Sequence, residues 1–157
     1  MTEAEGPAPV SRSVVVEEAR SVTSELVEAF VRLVPQLSRS SSPPGQPELE
    51  EMVNANGTHL LMARLGEDGP LVGSLTLVLF RIPTGVRAWV EDVVVDESAR
   101  GQGVGEALSR RALQLAGGEG ARTVDLTSRP SREAANRLYR RLGFERRNTN
   151  VYRMELE

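Results

Sequence analysis

Glu91-Asp-Val-Val-Val-Asp-Glu-Ser-Ala-Arg-Gly-Gln-Gly-Val-Gly105 opens as a valine-rich strand and closes as a glycine-rich turn. The consecutive β-branched residues Val93, Val94 and Val95 favour an extended backbone. Beyond the turn the period changes: Val104, Leu108, Ala112 and Leu115 fall on one helical face, and Gly117-Gly118 supplies a stop. A glycine turn between a strand and a helix is a place where an anion binds. The first N–H groups of a helix lack an intrahelical acceptor, and the helix dipole favours negative charge beside them. Gly101, Gly103 and Gly105 remove three side chains, so the backbone can wrap closely around a phosphate. Glycine clusters also serve plain turns, so spacing has to discriminate. The dinucleotide pattern Gly-x-Gly-x-x-Gly fails, because Gly103 is followed by Gly105 and position 106 is Glu106. The phosphate loop of nucleotide hydrolases needs Gly-Lys-Ser/Thr, and the chain contains no lysine.

Upstream, residues 59–65, 71–80 and 87–95 read as three strands separated by Gly66-Glu-Asp-Gly-Pro70 and Pro83-Thr-Gly85, turns short enough to predict an antiparallel meander. Residues 14–17 form a first strand. Ser21 or Thr23 caps a helix running to about Val34, with Val22, Leu26, Phe30 and Leu33 at helical spacing and Pro35 helping to end it. Residues 38–47, with four serines and three prolines, read as a loop, and residues 48–54 as a short second helix. Downstream, residues 123–127 are a short strand. Ser131 then caps a helix whose buried stripe is Ala134, Ala135, Leu138 and Leu142, with Gly143 as its stop. Residues 144–147 and 151–156 close the chain as a hairpin. The order β-α-α-β-β-β-α-β-α-β-β predicts an α/β (mixed α+β) fold. Its central mixed sheet is mostly antiparallel and flanked by about four helices, unlike an alternating doubly wound pattern. Residues 1–12 read as an N-terminal arm and 13–157 as one domain.

Composition narrows the chemistry. The 157 residues are 39% hydrophobic and 26% charged, ordinary for a globular chain. The absence of cysteine excludes disulfides, thiolate–zinc sites and a cysteine nucleophile. A single histidine, His59, leaves little for a metal cluster or a Ser–His–Asp triad, and on an apolar strand it reads as structural. All 19 basic residues are arginine, which excludes Schiff-base chemistry. The net charge of −3 argues against nucleic acid as a partner. Arg110-Arg111, Arg140-Arg141 and Arg146-Arg147 are either solvated faces or part of a site for a phosphorylated cofactor. No apolar run approaches a membrane span, and the acidic, proline-bearing N-terminus is not a secretory signal, so a cytoplasmic location is expected, with no membrane partner.

Two motifs carry a family resemblance. Arg100-Gly-Gln-Gly-Val-Gly105 resembles the pyrophosphate loop, Arg-x-x-Gly-x-Gly, of the GNAT superfamily of acyl-CoA N-acyltransferases. Downstream, Ala135-Asn-Arg-Leu-Tyr-Arg-Arg-Leu-Gly-Phe144 resembles that family's Ala-x-x-Leu-Tyr-x-x-x-Gly-Phe signature. The motif likeness runs from Trp89 to Phe144; the element order extends it over the chain. The resemblance implies acetyl-CoA as acyl-donor cosubstrate, no metal, and a small-molecule or peptide amine as acceptor. It implies that backbone groups of Val93, Val94 and Val95 pair with the pantetheine amides like an added strand, exposed by a bulge. The amides of Arg100, Gly101, Gln102, Gly103, Val104 and Gly105 would cradle the pyrophosphate, and Tyr139 would sit near the thioester sulfur. The family often has asparagine seven residues before that tyrosine. Here the position is Arg132, and Asn136 either takes over the cofactor contact or faces solvent.

Direct N-acetyl transfer needs a neutral amine and a protonated leaving thiol. An amine of ordinary pKa is almost wholly ammonium at neutral pH, so a base is required. Glu91, in Trp89-Val-Glu-Asp-Val93, is the candidate; that stretch resembles the Ile-Glu-Asp of the family's glucosamine-phosphate acetyltransferases. Simple alternation puts Glu91 on one face with Trp89 and Val93, and Asp92, the alternative base, on the other with Val90 and Val94. Glu91 could also be a strand-edge carboxylate paired with Arg87 or another arginine. Tyr139 is the candidate acid, or else part of the stripe formed with Leu138 and Leu142. A non-catalytic acyl-CoA-binding or sensor domain would keep the same loop. Exposed strand edges leave room for a homodimer.

Overall fold

The computed structural model describes residues 13–157, so the expected N-terminal arm lies outside the described residues. The described residues divide into two compact units, one ending at Leu126 and the other running from Thr127 to Glu157. The first holds β1 (Val14–Glu18), α1 (Ser24–Leu37), α2 (Gln46–Asn54), β2 (Thr58–Leu65), β3 (Leu71–Ile82), β4 (Gly85–Val95), a 3-10 turn (Glu97–Ala99), α3 (Val104–Gly118) and β5 (Ala121–Asp125). The second holds α4 (Glu133–Leu142). Among the described residues no helix is long and apolar enough to cross a membrane.

The sheet follows the order β1-β2-β3-β4-β5. β1 to β4 form the expected antiparallel meander, and α3 returns the chain so that β5 lies parallel to β4. The α/β fold with a mostly antiparallel mixed sheet and four helices is therefore present. The last two strands of the expected order are not: residues 144–157 adopt neither helix nor strand. Val151, Tyr152, Met154 and Leu156 alternate like a strand, yet each is more than 70% exposed. Alternation alone does not make a strand, which needs a ladder partner.

One core lies on each face of the sheet. Leu26, Ala29, Phe30 and Leu33 of α1 and Leu49 of α2 pack on Leu60, Met62, Leu71 and Val94. On the other face Val104, Leu108, Ala112 and Ala116 of α3 pack on Leu61, Ala63, Leu75, Leu77, Ala88 and Val90. Each fully buried leucine contributes roughly 1.5–3 kcal/mol. The Thr23 hydroxyl accepts the Leu26 N–H at 3.2 Å, which selects Thr23 over Ser21 as the α1 cap. Pro35 does not end α1 but sits in its last turn, and the helix continues to Leu37. So close to the end, its missing N–H forfeits one bond without breaking the helix. α2 begins at Gln46, earlier than expected, because Pro47 fits a first turn and Glu48 Oε2 accepts the Gly45 N–H at 3.0 Å.

In the second unit, α4 starts after Arg132 with no side-chain cap, so Ser131 does not play the expected role. Gly143 is the left-handed stop, with φ 102°. The expected buried stripe is only partial: Ala135, Leu138 and Leu142 are half-buried and Ala134 is exposed. A unit this short cannot enclose a helix face.

Candidate active site

β4 pairs with β5 from Val86↔Ala121 to Trp89↔Asp125, and there the ladder stops while β4 runs on to Val95. Among the described residues, the β5-facing edge of Val93, Val94 and Val95 therefore has no strand against it. Such an edge offers main-chain donors and acceptors to an extended ligand.

On its other edge β4 is bulged. Thr76 of β3 pairs with Glu91 and Ser74 with Val94, so Asp92 and Val93 together oppose Leu75. Asp92 takes φ 50°, the one non-glycine residue in the left-handed region among the described residues. Aspartate tolerates that conformation better than most side chains do. The extra residue breaks the expected alternation. Val90 lies on the α3 side, Val93 and Val95 also pack there, and Val94 joins the α1–α2 core. Glu91 shares a rung with Thr76 and Leu60, on the α1–α2 side. Its carboxylate is exposed, and Oε1 accepts the Trp89 indole N–H at 2.6 Å. Arg87 pairs instead with Asp125, at 2.8 Å.

Past Val95 the chain is held from two directions. The Asp96 N–H donates to the Val72 carbonyl at 2.8 Å, and Asp96 Oδ1 accepts the N–H and hydroxyl of Ser98 at 3.0 and 2.9 Å. The two bonds from Ser98, its N–H first, hold the Asp96 carboxyl below its ordinary range, with Gln36 and Arg32 adding to the effect. From α1, Gln36 Oε1 accepts the Glu97 N–H at 2.9 Å, and Arg32 donates to the Leu71 carbonyl at 2.6 Å. Gly101 and Gly103 then take φ 75° and 82°, and a Cβ built on either would meet nothing within 4 Å. Their lack of a side chain answers backbone conformation and leaves open space above the turn. The Ala107 N–H makes the bond to the Gly103 carbonyl at 3.0 Å, so the Val104 and Gly105 amides open the helix end. Gly105 itself is helical and does not share the left-handed geometry. Gln102 folds back, its amide donating to the Ser98 carbonyl at 3.4 Å, and Arg100 is exposed, 3.9 Å from Glu97. Gly73 of β3 lets α3 approach: a Cβ there would lie 2.7 Å from Val104 Cγ1.

In the second unit, Tyr139 packs edge-to-face on Phe144, with ring centroids 5.7 Å apart. Burial pushes its phenol above the ordinary range, against the opposing pull of the Arg132 charge. The Asn136 amide nitrogen donates to the Arg129 and Arg132 carbonyls at 2.9 and 2.8 Å, closing the turn before α4. Arg137, Arg140 and Arg146 border a surface cavity of about 470 Å³ with Ser128, Glu133 and Asn136.

The pattern of the Acetyltransferase (GNAT) family matches residues 22–144. The chain belongs to the GNAT acetyltransferase family. Glucosamine 6-phosphate N-acetyltransferase 1 of Oryza sativa subsp. japonica is 31% identical over 137 residues, covering 82% of this chain and 80% of the relative. The fold is also that of an acetyltransferase of Trypanosoma brucei, with TM-score 0.74, 24% identity, and 92% and 100% of the two chains covered. An aminoglycoside acetyltransferase from an uncultured soil metagenomic sample, in complex with sisomicin, superposes with TM-score 0.77 at 19% identity, over 91% and 97% of the chains.

For this GNAT acetyltransferase, the sequence-predicted residues Glu91, Val93, Val94, Val95 and Arg100 to Gly105 form one continuous run from the open edge of β4 to the start of α3. Asn136 and Tyr139 belong to α4 of the second unit. The pairing of Glu91 with Arg87 does not form. His59 lies away from this run, its Nδ1 2.6 Å from Glu18 Oε1 across β1 and β2, as suits a structural residue. Sequence reasoning missed Arg32 and Gln36, whose partners lie far along the chain. It also missed the Asp96–Ser98 turn, which the Asp-x-Ser spacing could have suggested.

Proposed function

We propose that this acetyl-CoA-dependent N-acetyltransferase of the GNAT family transfers its acetyl group directly to an amine, without a covalent enzyme intermediate, with Glu91 as the base and Tyr139 as the acid. The observation that carries the reading is the open edge of β4 beyond Trp89, continuous with two left-handed glycines and the first amides of α3. That run fits an extended amide-bearing chain ending in a pyrophosphate: main-chain groups of Val93, Val94 and Val95 for the first, the amides of the 100–105 turn for the second. Acetyl-CoA supplies the acyl group as a thioester.

Glu91 takes a proton from the substrate ammonium, directly or through one water, and the freed nitrogen lone pair attacks the thioester carbonyl. As the C–S bond breaks its electron pair stays on sulfur, and Tyr139 supplies that sulfur with a proton or hydrogen bond. The acylated nitrogen sheds its remaining extra proton through water to the phenolate or to the thiolate, leaving a neutral amide and a free thiol. The raised phenol supports this role, because Tyr139 keeps its proton throughout the neutral range. Asn136, with its amide nitrogen committed to the turn before α4, retains Oδ1 as the acceptor it could offer to the cofactor. An amine on a sugar ring is the first acceptor class to test, given the name of the rice relative.

Calorimetry with acetyl-CoA, and thiol release over a panel of amines (glucosamine 6-phosphate, glucosamine, sisomicin, spermidine), test the proposal. Binding should be lost in Gly103→Val, and at least one amine should release thiol. Normal binding by Gly103→Val would remove the loop assignment. Tight binding with a silent panel would favour the non-catalytic acyl-CoA-binding domain.

A further inference from the structure

Trp89 is the chain's single tryptophan. It is half-buried on β4, two residues before Glu91, and its indole N–H donates to Glu91 Oε1 at 2.6 Å. Residues two apart on a strand project from the same face, so the pleat itself brings the two side chains together. The bulge that disrupts alternation begins after Glu91, which leaves this pairing intact. An indole carries one donor and no acceptor, whereas a carboxylate offers two oxygens. One bond from Trp89 therefore occupies Oε1, and among the described residues no other hydrogen bond reaches the Glu91 carboxylate.

An exposed glutamate otherwise samples many rotamers, only a few of which place an oxygen where a proton is to be taken. A donor that fixes one oxygen restricts the other to a small arc, and that is worth most at the moment of proton transfer. We propose that Trp89 is a positioning residue for the base. It anchors Oε1 so that Oε2 is presented to the acceptor nitrogen or to its relay water, and its half-buried ring forms a rigid wall beside that point. The inference rests on the assignment of Glu91 as base.

Three variants separate the two ideas. Trp89→Phe keeps a ring and loses the donor. With the most active amine of the same panel, kcat should fall about tenfold while KM for acetyl-CoA stays within about twofold, since the bond acts on proton transfer rather than on the donor cradle. Glu91→Gln should be nearly inactive, and Trp89→Phe/Glu91→Gln no slower than Glu91→Gln, the non-additivity expected of residues acting as a unit. Glu91→Ala should change the emission of the lone tryptophan at neutral pH, a readout that needs neither turnover nor an acceptor. Full kcat in Trp89→Phe alongside an inactive Glu91→Gln would overturn the positioning role and leave the base standing. Substantial turnover by Glu91→Gln would overturn both. Unaltered emission in Glu91→Ala would show that the contact is not made in solution, and it decides the matter even if Trp89→Phe folds poorly.

Discussion

Arg87 Nη2 donates to Asp125 Oδ2 at 2.8 Å across the last rungs that β4 and β5 share before β4 runs on alone. Arg87 is 42% exposed and Asp125 29%, so solvent screens the pair and its contribution to stability stays below about 1 kcal/mol. Its value lies in position, because it pins the fork whose open side we assign to the cofactor. Arg87→Ala should lower Tm by no more than about 3 °C and raise KM for acetyl-CoA about threefold. A KM equal to wild type would show that the fork holds without the pair.

Gly73→Ala is expected to act on stability and binding together. The added Cβ would lie 2.7 Å from Val104 Cγ1, 3.1 Å from Leu108 Cδ1 and 3.4 Å from the Val94 carbonyl. Relief requires α3 to lift from the sheet at the end that carries the glycine turn. Overpacking of this kind costs about 1–3 kcal/mol, or roughly 3–10 °C in Tm. Thermal scans with and without acetyl-CoA should show both a lower Tm and a smaller ligand-induced rise. An unchanged scan would mean that the helix end has slack that this packing does not suggest.

Ser109→Ala should be stabilising. The Ser109 hydroxyl on α3 is 4% exposed and has no hydrogen-bond partner among the described residues, a polar group in an otherwise apolar face. Removing such a group recovers about 1 kcal/mol and replaces serine with a better helix former. Chemical denaturation is the check, with a higher midpoint and an unchanged slope expected. A lower midpoint would reveal a partner for the hydroxyl in solution.

Tyr139 and Asp96 give opposite pH signatures. The folded phenol of Tyr139 is raised by burial, so its contribution is complete below the unfolded value of about 10 and is lost as pH climbs through the folded one. Tyr139→Phe should therefore resist alkaline unfolding better than wild type, while losing turnover far more than acetyl-CoA affinity. Asp96 is depressed by its bonds from Ser98, so its contribution is complete above the unfolded value of about 3.9 and disappears as pH falls through the folded one. Asp96→Asn should flatten the acid side of the Tm profile. Parallel alkaline profiles for Tyr139→Phe and wild type would contradict the first sign, and a steep acid limb in Asp96→Asn the second.

What could be read from the sequence was local. The meander, the helix after the glycine turn and the Gly143 stop follow from period, turn residues and left-handed glycine, all of which act within a few residues. Thr23 likewise marks a helix start through its own chemistry, whereas Pro47, read with the preceding loop, sits in the first turn of α2. The closing strands failed because their alternation, clear in Val151, Tyr152, Met154 and Leu156, says nothing about a ladder partner. At the site, the glycine turn and Val93 to Val95 were legible as a run, but the hold that α1 exerts on it was not. Gln36 meets Glu97, and Arg32 meets Leu71, through contacts set by tertiary packing, for which no residue spacing gives a signal. The face assigned to Val94 was wrong for a related reason. Period-two counting assumes an unbroken strand, and the interruption at Asp92 depends on how β3 pairs with it.

That interruption behaves like a shift of reading frame. A strand spells an inward–outward message two residues at a time, and the extra residue at Asp92 displaces everything downstream by one letter. Upstream of it, Ala88 and Val90 are written for the α3 layer; downstream, Val93 and Val95 are, and Val94 is written for the α1–α2 layer. Pulling the strand straight with Asp92 kept in line would garble the rest, turning Val94 toward α3 and its two neighbours toward α1. Deleting Asp92 would instead close the bulge and leave Val93, Val94 and Val95 on their present faces, so the downstream message depends on Asp92 staying out of the count.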